Sequence, residues 1–146
     1  MKFSARVSYG LRAAIVLADH YGKGPVLGKE ISEAEGLPAA YLEQIMASLR
    51  RADLVDGTRG AKGGYVLTKA PEKITVTDLV VALEGPIQLS DCPGGTSCCN
   101  DSAACSIREI FSAAEEALVT TFNGHRLSDL LERRQVLREK AGMFYI

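Results

Sequence analysis

Gly36 is the residue that most constrains how this chain folds. It closes a short amphipathic stretch, Gly28 to Glu35, that puts Ile31 and Ala34 on one face. Just beyond it Pro38 opens a second stretch, with Leu42, Ile45, Met46 and Leu49 at helical spacing. Two short helices joined by a glycine turn read as a helix-turn-helix. A hairpin pattern follows at once. Leu54 to Thr58 and Gly64 to Thr68 are strand-like runs flanking Arg59-Gly60-Ala61-Lys62-Gly63, and glycines 60, 63 and 64 are expected to supply positive backbone angles. The expected fold is mainly α with a small β-hairpin: a winged helix-turn-helix plus a long dimerisation helix.

Helical periodicity frames this unit on both sides. Val7, Leu11, Ala14, Ile15 and Ala18 line one face of a first helix that ends at Tyr21-Gly22-Lys23-Gly24-Pro25. Thr75-x-x-Asp78 is a capping box for a helix running through Leu79, Val80 and Leu83 to Gly85-Pro86. Gln88 to Ala104 has no period. Ser106-x-x-Glu109 is a second capping box, ahead of a long stripe comprising Ile107, Ile110, Phe111, Ala114, Ala117, Leu118, Thr121 and Phe122. Such a stripe either packs on the first domain or pairs with its symmetry mate. Asn123-Gly124 ends it, and a shorter helix is expected from Ser128. Three segments result: a DNA-binding domain over 1–86, a cysteine-bearing loop over 87–105, and a dimerisation helix with a terminal helix and tail over 106–146.

Charge restricts the function. With 17 Lys and Arg against 18 Asp and Glu, the net charge is −1, so a nucleic-acid contact must be a local patch. On the expected recognition helix Tyr41, Glu43 and Gln44 are exposed candidates, because Leu42, Ile45 and Met46 define the buried face. Gln pairs with adenine N6 and N7, and Glu accepts from cytosine N4. Arg59 and Lys62 on the hairpin suit a narrow minor groove, while Arg50 and Arg51 at the helix end suit phosphate. The chain shows no Ser-His-Asp set, phosphate-binding glycine loop or paired catalytic carboxylates, which argues against an enzyme. It has no apolar run long enough for a membrane span and no signal-like amino terminus, so a cytoplasmic protein is expected.

All four cysteines fall between positions 92 and 105, as Cys92, Cys98, Cys99 and Cys105. In a reducing compartment such a cluster points to metal or redox chemistry. Soft thiolates on a loop suit an iron-sulfur cluster, and also zinc or copper(I). The spacing lacks the close Cys pairs usual for structural zinc. A reversible Cys92–Cys105 disulfide, or plain free thiols, are the other readings. Cys105 precedes the capping serine, where first-turn N–H groups favour a thiolate or an anionic cluster. His20 and His125 sit at glycine-marked helix ends and read as ordinary surface or cap residues.

Several strings carry a resemblance: Met1-Lys2-Phe3-Ser4, Tyr9-Gly10-Leu11-Arg12, Tyr41-Leu42-Glu43-Gln44-Ile45, Leu49 to Val55, Arg59 to Leu67 and Ala82 to Ile87. Together they resemble the Rrf2 family of bacterial transcription regulators over nearly the whole chain. The resemblance implies a homodimer on a partly palindromic DNA operator, with contacts falling on Tyr41, Glu43, Gln44 and Arg59. Pro38 and Ala40 stand where the family's iron-sulfur members carry serines. It also implies an iron-sulfur cluster, [2Fe-2S] or [4Fe-4S], on Cys92, Cys99 and Cys105, with Cys98 as the rival middle ligand or the fourth. Arg108 replaces a histidine ligand of some members, and Ser8 matches a position that contributes a ligand from the partner subunit in others. The terminal Met143-Phe144-Tyr145-Ile146 resembles the tail of a cysteine-metabolism repressor of the family, which implies a cysteine synthase as a second partner through Tyr145-Ile146.

Overall fold

The computed structural model describes residues 2–60, 63–90 and 105–143. Helices α1 (Ala5–Asp19), α2 (Gly28–Glu35) and α3 (Ala39–Arg51) come first. Strands β1 (Val55–Thr58) and β2 (Gly64–Leu67) follow, then a 3-10 turn at Pro71–Lys73. Helices α4 (Val76–Glu84), α5 (Ser106–Asn123) and α6 (Leu127–Met143) complete the described chain.

The core gathers where the first four helices meet the hairpin. Leu17 of α1, Ile31 of α2, Leu42, Ile45, Met46 and Leu49 of α3 and Leu79, Val80 and Leu83 of α4 are all buried. Each such side chain contributes about 1.5–3 kcal/mol of burial. Val7, Ala14 and Ala18 of α1 are buried as expected, but the buried face extends to Gly10, Ala13 and Leu17, while Leu11 and Ile15 are half-buried. The reason is close packing on α4, since a Cβ at Gly10 would lie 2.3 Å from Leu83 Cδ1.

Strands β1 and β2 pair antiparallel, with Val55 opposite Leu67 and Thr58 opposite Gly64. Val26, just before α2, exchanges backbone hydrogen bonds with Tyr65 (3.0 and 2.8 Å), which fastens the wing to the helix-turn-helix. Of the three hairpin glycines only Gly60 has a positive φ, at 108°. Gly63 and Gly64 serve close approach instead: a Cβ at Gly63 would meet Thr58 O, and one at Gly64 would meet Val26 O, each at 2.4 Å.

The Thr75–Asp78 capping box forms, with Asp78 N donating to Thr75 Oγ1 (3.0 Å) and Thr75 N donating to Asp78 Oδ2 (2.8 Å). The expected box at Ser106–Glu109 does not. Helix α5 starts one residue early, so Cys105 is its N-cap residue, Cys105 O accepts from Glu109 N (3.2 Å), and no side chain caps it. Helix α6 likewise starts at Leu127, and at 17 residues it nearly matches the 18 of α5. Leu127 is fully buried, Arg126 N donates to Asp129 Oδ2 (2.7 Å), and a backbone bridge joins Thr75 to Arg126. These ties fold α6 back against α1 and the 3-10 turn. Helix α5 lies against α4 and buries no side chain fully.

Candidate nucleic-acid interface and the cysteine at the start of α5

Helix α3 presents an open stripe because its apolar residues all turn one way. Leu42, Ile45, Met46, Ser48 and Leu49 are buried, leaving Ala40, Glu43, Gln44, Ala47, Arg50 and Arg51 exposed. Gly36, at φ 65°, supplies the left-handed residue that ends α2 and turns the chain toward α3. Glu43 and Gln44 thus stand exposed on α3. Tyr41 does not share their exposure: it is half-buried, its ring edge-on to Tyr9 with centroids 5.7 Å apart and planes at 87°.

The two arginines at the end of α3 diverge. Arg50 lies over β1, its Nη1 3.5 Å from where a Cβ of Gly57 would be. Arg51 turns the other way and donates from Nη2 to Ser48 Oγ at 3.0 Å. Arg59 is exposed at the end of β1. Lys62 lies outside the described residues, as do Cys92, Cys98, Cys99, Tyr145 and Ile146.

Cys105 is the one candidate cysteine ligand within the described residues. It is half-buried, forms no disulfide and makes no side-chain capping bond at the head of α5. Nearby, Leu89 N donates to Glu115 Oε1 at 2.6 Å, which fastens the strand of chain after α4 to the side of α5. Phe3 meets Phe122 at 5.8 Å, tying the amino terminus to the far end of the same helix. Ile107, Ile110 and Phe111 stay 65%, 69% and 38% exposed. His20 caps α1, its Nδ1 2.9 Å from Val16 O, and Ser8 is exposed on α1.

Sequence reasoning missed an ionic clasp behind the helix-turn-helix. Glu35, the last residue of α2, has a side chain only 2% exposed; its Oε2 accepts from Arg12 Nε at 2.8 Å and its Oε1 from Arg134 Nη2 of α6. Arg12 also donates to Glu35 O (2.7 Å), and its guanidinium sits 5.5 Å from the centre of the Tyr9 ring. Contacts therefore run from Tyr41 on α3 through Tyr9, Arg12 and Glu35 to Arg134 on α6. The available signal was helical phase, because Glu35 lies four residues after buried Ile31 and shares its face.

The Rrf2 family model, described as an iron-dependent transcriptional regulator, matches residues 3–133. Protein rrf2 of Nitratidesulfovibrio vulgaris is 36% identical over 131 residues, covering 90% of this chain and 87% of its own. CymR of Bacillus subtilis, whose structure is titled that of the global cysteine regulator, superposes with a TM-score of 0.76 at 34% identity, over 91% of this chain and 98% of its own. The IscR of T. potens gives 0.73 at 34% identity, over 92% and 88%. A helix-turn-helix with an open reading stripe, a wing and this breadth of similarity lead to one conclusion: the chain belongs to the Rrf2 family of DNA-binding transcriptional regulators.

Proposed function

We propose that this chain acts as a cytoplasmic homodimer that reads a two-fold operator and whose DNA affinity is set by an iron-sulfur cluster, [2Fe-2S] or [4Fe-4S]. Cys92, Cys105 and either Cys99 or Cys98 hold it. The observation that carries this reading is Cys105: a free thiol without a capping bond, at the N-cap of a helix whose Ile107, Ile110 and Phe111 are exposed. A soft sulfur donor at a helix start fits an anionic cluster. When bound, such a cluster supplies a redox-active centre whose thiolate bonds are lost with the iron. The chain does the rest. Ligation would fix Cys105, hence the start of α5, and Leu89 on Glu115 relates that helix to the segment after α4.

Ile107, Ile110 and Phe111 are the surface for a second copy, and a two-fold axis there sets the spacing of two recognition helices. Glu43 and Gln44 face base edges in the major groove, with Tyr41 beside them. Arg59 and Lys62 enter the minor groove, and Arg50 meets phosphate. Selection from a random duplex pool tests this reading. Two inverted half-sites are expected, with Glu43→Ala or Gln44→Ala relaxing preference at one base pair per half-site by about 1–3 kcal/mol. Failure to enrich any sequence would contradict it.

A second reading has one specific support, 47% identity to Bacillus subtilis CymR over 87 residues, 60% of this chain and 63% of the relative. In it the chain is a cluster-free regulator of cysteine or sulfur metabolism, controlled by a cysteine synthase that takes the tail ending in Tyr145-Ile146. Deleting the last four residues is expected to abolish capture of that enzyme; unchanged capture would remove the reading.

A further inference from the structure

We propose that the pocket between the end of α3, the foot of the hairpin and α4 binds a phosphate-class oxyanion carried by a small soluble molecule. The cavity measures about 540 Å3 and is lined by Ser48, Arg51, Leu54, Lys69, Thr77 and Val81, among others. Its distinguishing feature is Ser48. This side chain is buried at 3% exposure, and its Oγ accepts from two guanidinium groups, Arg51 Nη2 at 3.0 Å and Arg6 Nη2. One neutral oxygen thus holds two positive charges together, with Lys69 on the same cavity wall.

One carboxylate, that of Asp78, shares the cavity wall with Arg51 and Lys69, and it pairs with neither. The ion pairs among the described residues are Arg12–Glu35, Lys29–Glu33 and Arg134–Glu35, none of which involves Arg6, Arg51 or Lys69. The Asp78 Oδ2 accepts from Thr75 N at 2.8 Å, and with Arg51 and Lys69 on the wall the cavity lining keeps a net positive charge. Of the three buried side-chain atoms without a partner among the described residues, one, Thr77 Oγ1, is on the pocket wall and another, Nε of Arg6, belongs to the guanidinium that bonds Ser48. The Arg51 guanidinium, the Lys69 ammonium and the free Thr77 hydroxyl form a donor set that a tetrahedral oxyanion satisfies, with Arg6 adding positive charge through Ser48. Leu54 and Val81, the latter 40% exposed, give an apolar wall, and the volume suits a small phosphorylated molecule better than bare phosphate.

Position favours a soluble source over the DNA backbone. Leu54 marks the pocket and Arg59 the wing tip, and the four residues of β1 between them span about 13 Å. The pocket therefore sits at the opposite end of the hairpin from the residue that reaches DNA. Its walls belong to the recognition helix and to α4, the helix that leads toward the cysteine segment. Occupancy would brace one against the other. The effect on DNA rests on the reading of α3 given above, whereas binding of the anion does not.

Titrating the full-length protein with inorganic phosphate against chloride at matched ionic strength, followed by backbone amide NMR, tests the site. Saturable shifts are expected at Ala52, Lys69 and Thr77. Half-saturation should rise about tenfold in Arg51→Gln and in Lys69→Gln, and stay unchanged in Lys29→Gln. The second arm measures how duplex affinity depends on salt. An unchanged slope in Lys69→Gln supports the soluble ligand, while a slope smaller by about 0.9 would assign the phosphate to DNA and overturn that source. Absence of saturable shifts, with amide spectra that report folded variants, overturns the proposal. A wild-type protein that binds phosphate but no DNA would instead count against the regulator reading alone.

Discussion

Glu35 shows how much one side chain organises here. A carboxylate taken out of water must be matched, and Arg12 and Arg134 match it from α1 and α6. Arg134→Met is expected to lower stability by about 1–3 kcal/mol, read by urea denaturation, because it leaves a buried carboxylate with a single cation that is itself half exposed. A change below a few tenths would mean that the clasp contributes nothing net. Gly64 is the contrasting case, since its constraint is space and not charge. A methyl group there would meet the Val26 carbonyl at 2.4 Å, and backbone cannot rotate away as a side chain does. Gly64→Ala is therefore expected to cost about 1–3 kcal/mol and to loosen the wing, seen as faster amide exchange at Val26 and Tyr65.

Among the elements, α5 is the one left unfinished by its own chain. Eighteen residues with an apolar stripe bury no side chain fully, whereas every other helix contributes at least one. Ile110→Asp is expected to yield a monomer by analytical ultracentrifugation with an unchanged melting temperature for the first domain, since Ile110 is 69% exposed within the chain. A dimer that survives would place the two-fold contact elsewhere. Elements of this kind were legible in the sequence because periodicity and caps are local: α2, α3, the hairpin and the Thr75 box stand where the spacing puts them. What escaped depends on distance. Glu35 is separated by 99 residues from Arg134, and Ser48 by 42 from Arg6, so no local pattern joins them. The Ser106 box failed because Ser106 already has helical backbone, and hydroxyl spacing alone does not fix which residue turns the chain. Of the candidate site, the exposure of Glu43, Gln44 and Arg59 was legible, while the divergence of Arg50 from Arg51 came only with packing.

At the scale of the whole molecule, the exposed stripe of α3 and Cys105 occupy different parts of one chain. The reading stripe belongs to a core built by α1 to α4, and Cys105 heads the helix that stands outside it. Helix α6 returns from that arm to clasp α2 beside the turn into α3. Helix α5 packs on α4 and α4 on α3, so a change at Cys105 is two helix contacts from the recognition helix, and equal DNA affinity before and after iron chelation would show that nothing travels across them. The most direct test of the account is the visible spectrum, with iron and acid-labile sulfide analysis, of protein purified without oxygen beside its Cys105→Ala variant. Charge-transfer absorption with matching iron and sulfide, lost in the variant, is the expected result. A colourless, iron-free protein that still binds DNA after attempted reconstitution would contradict it.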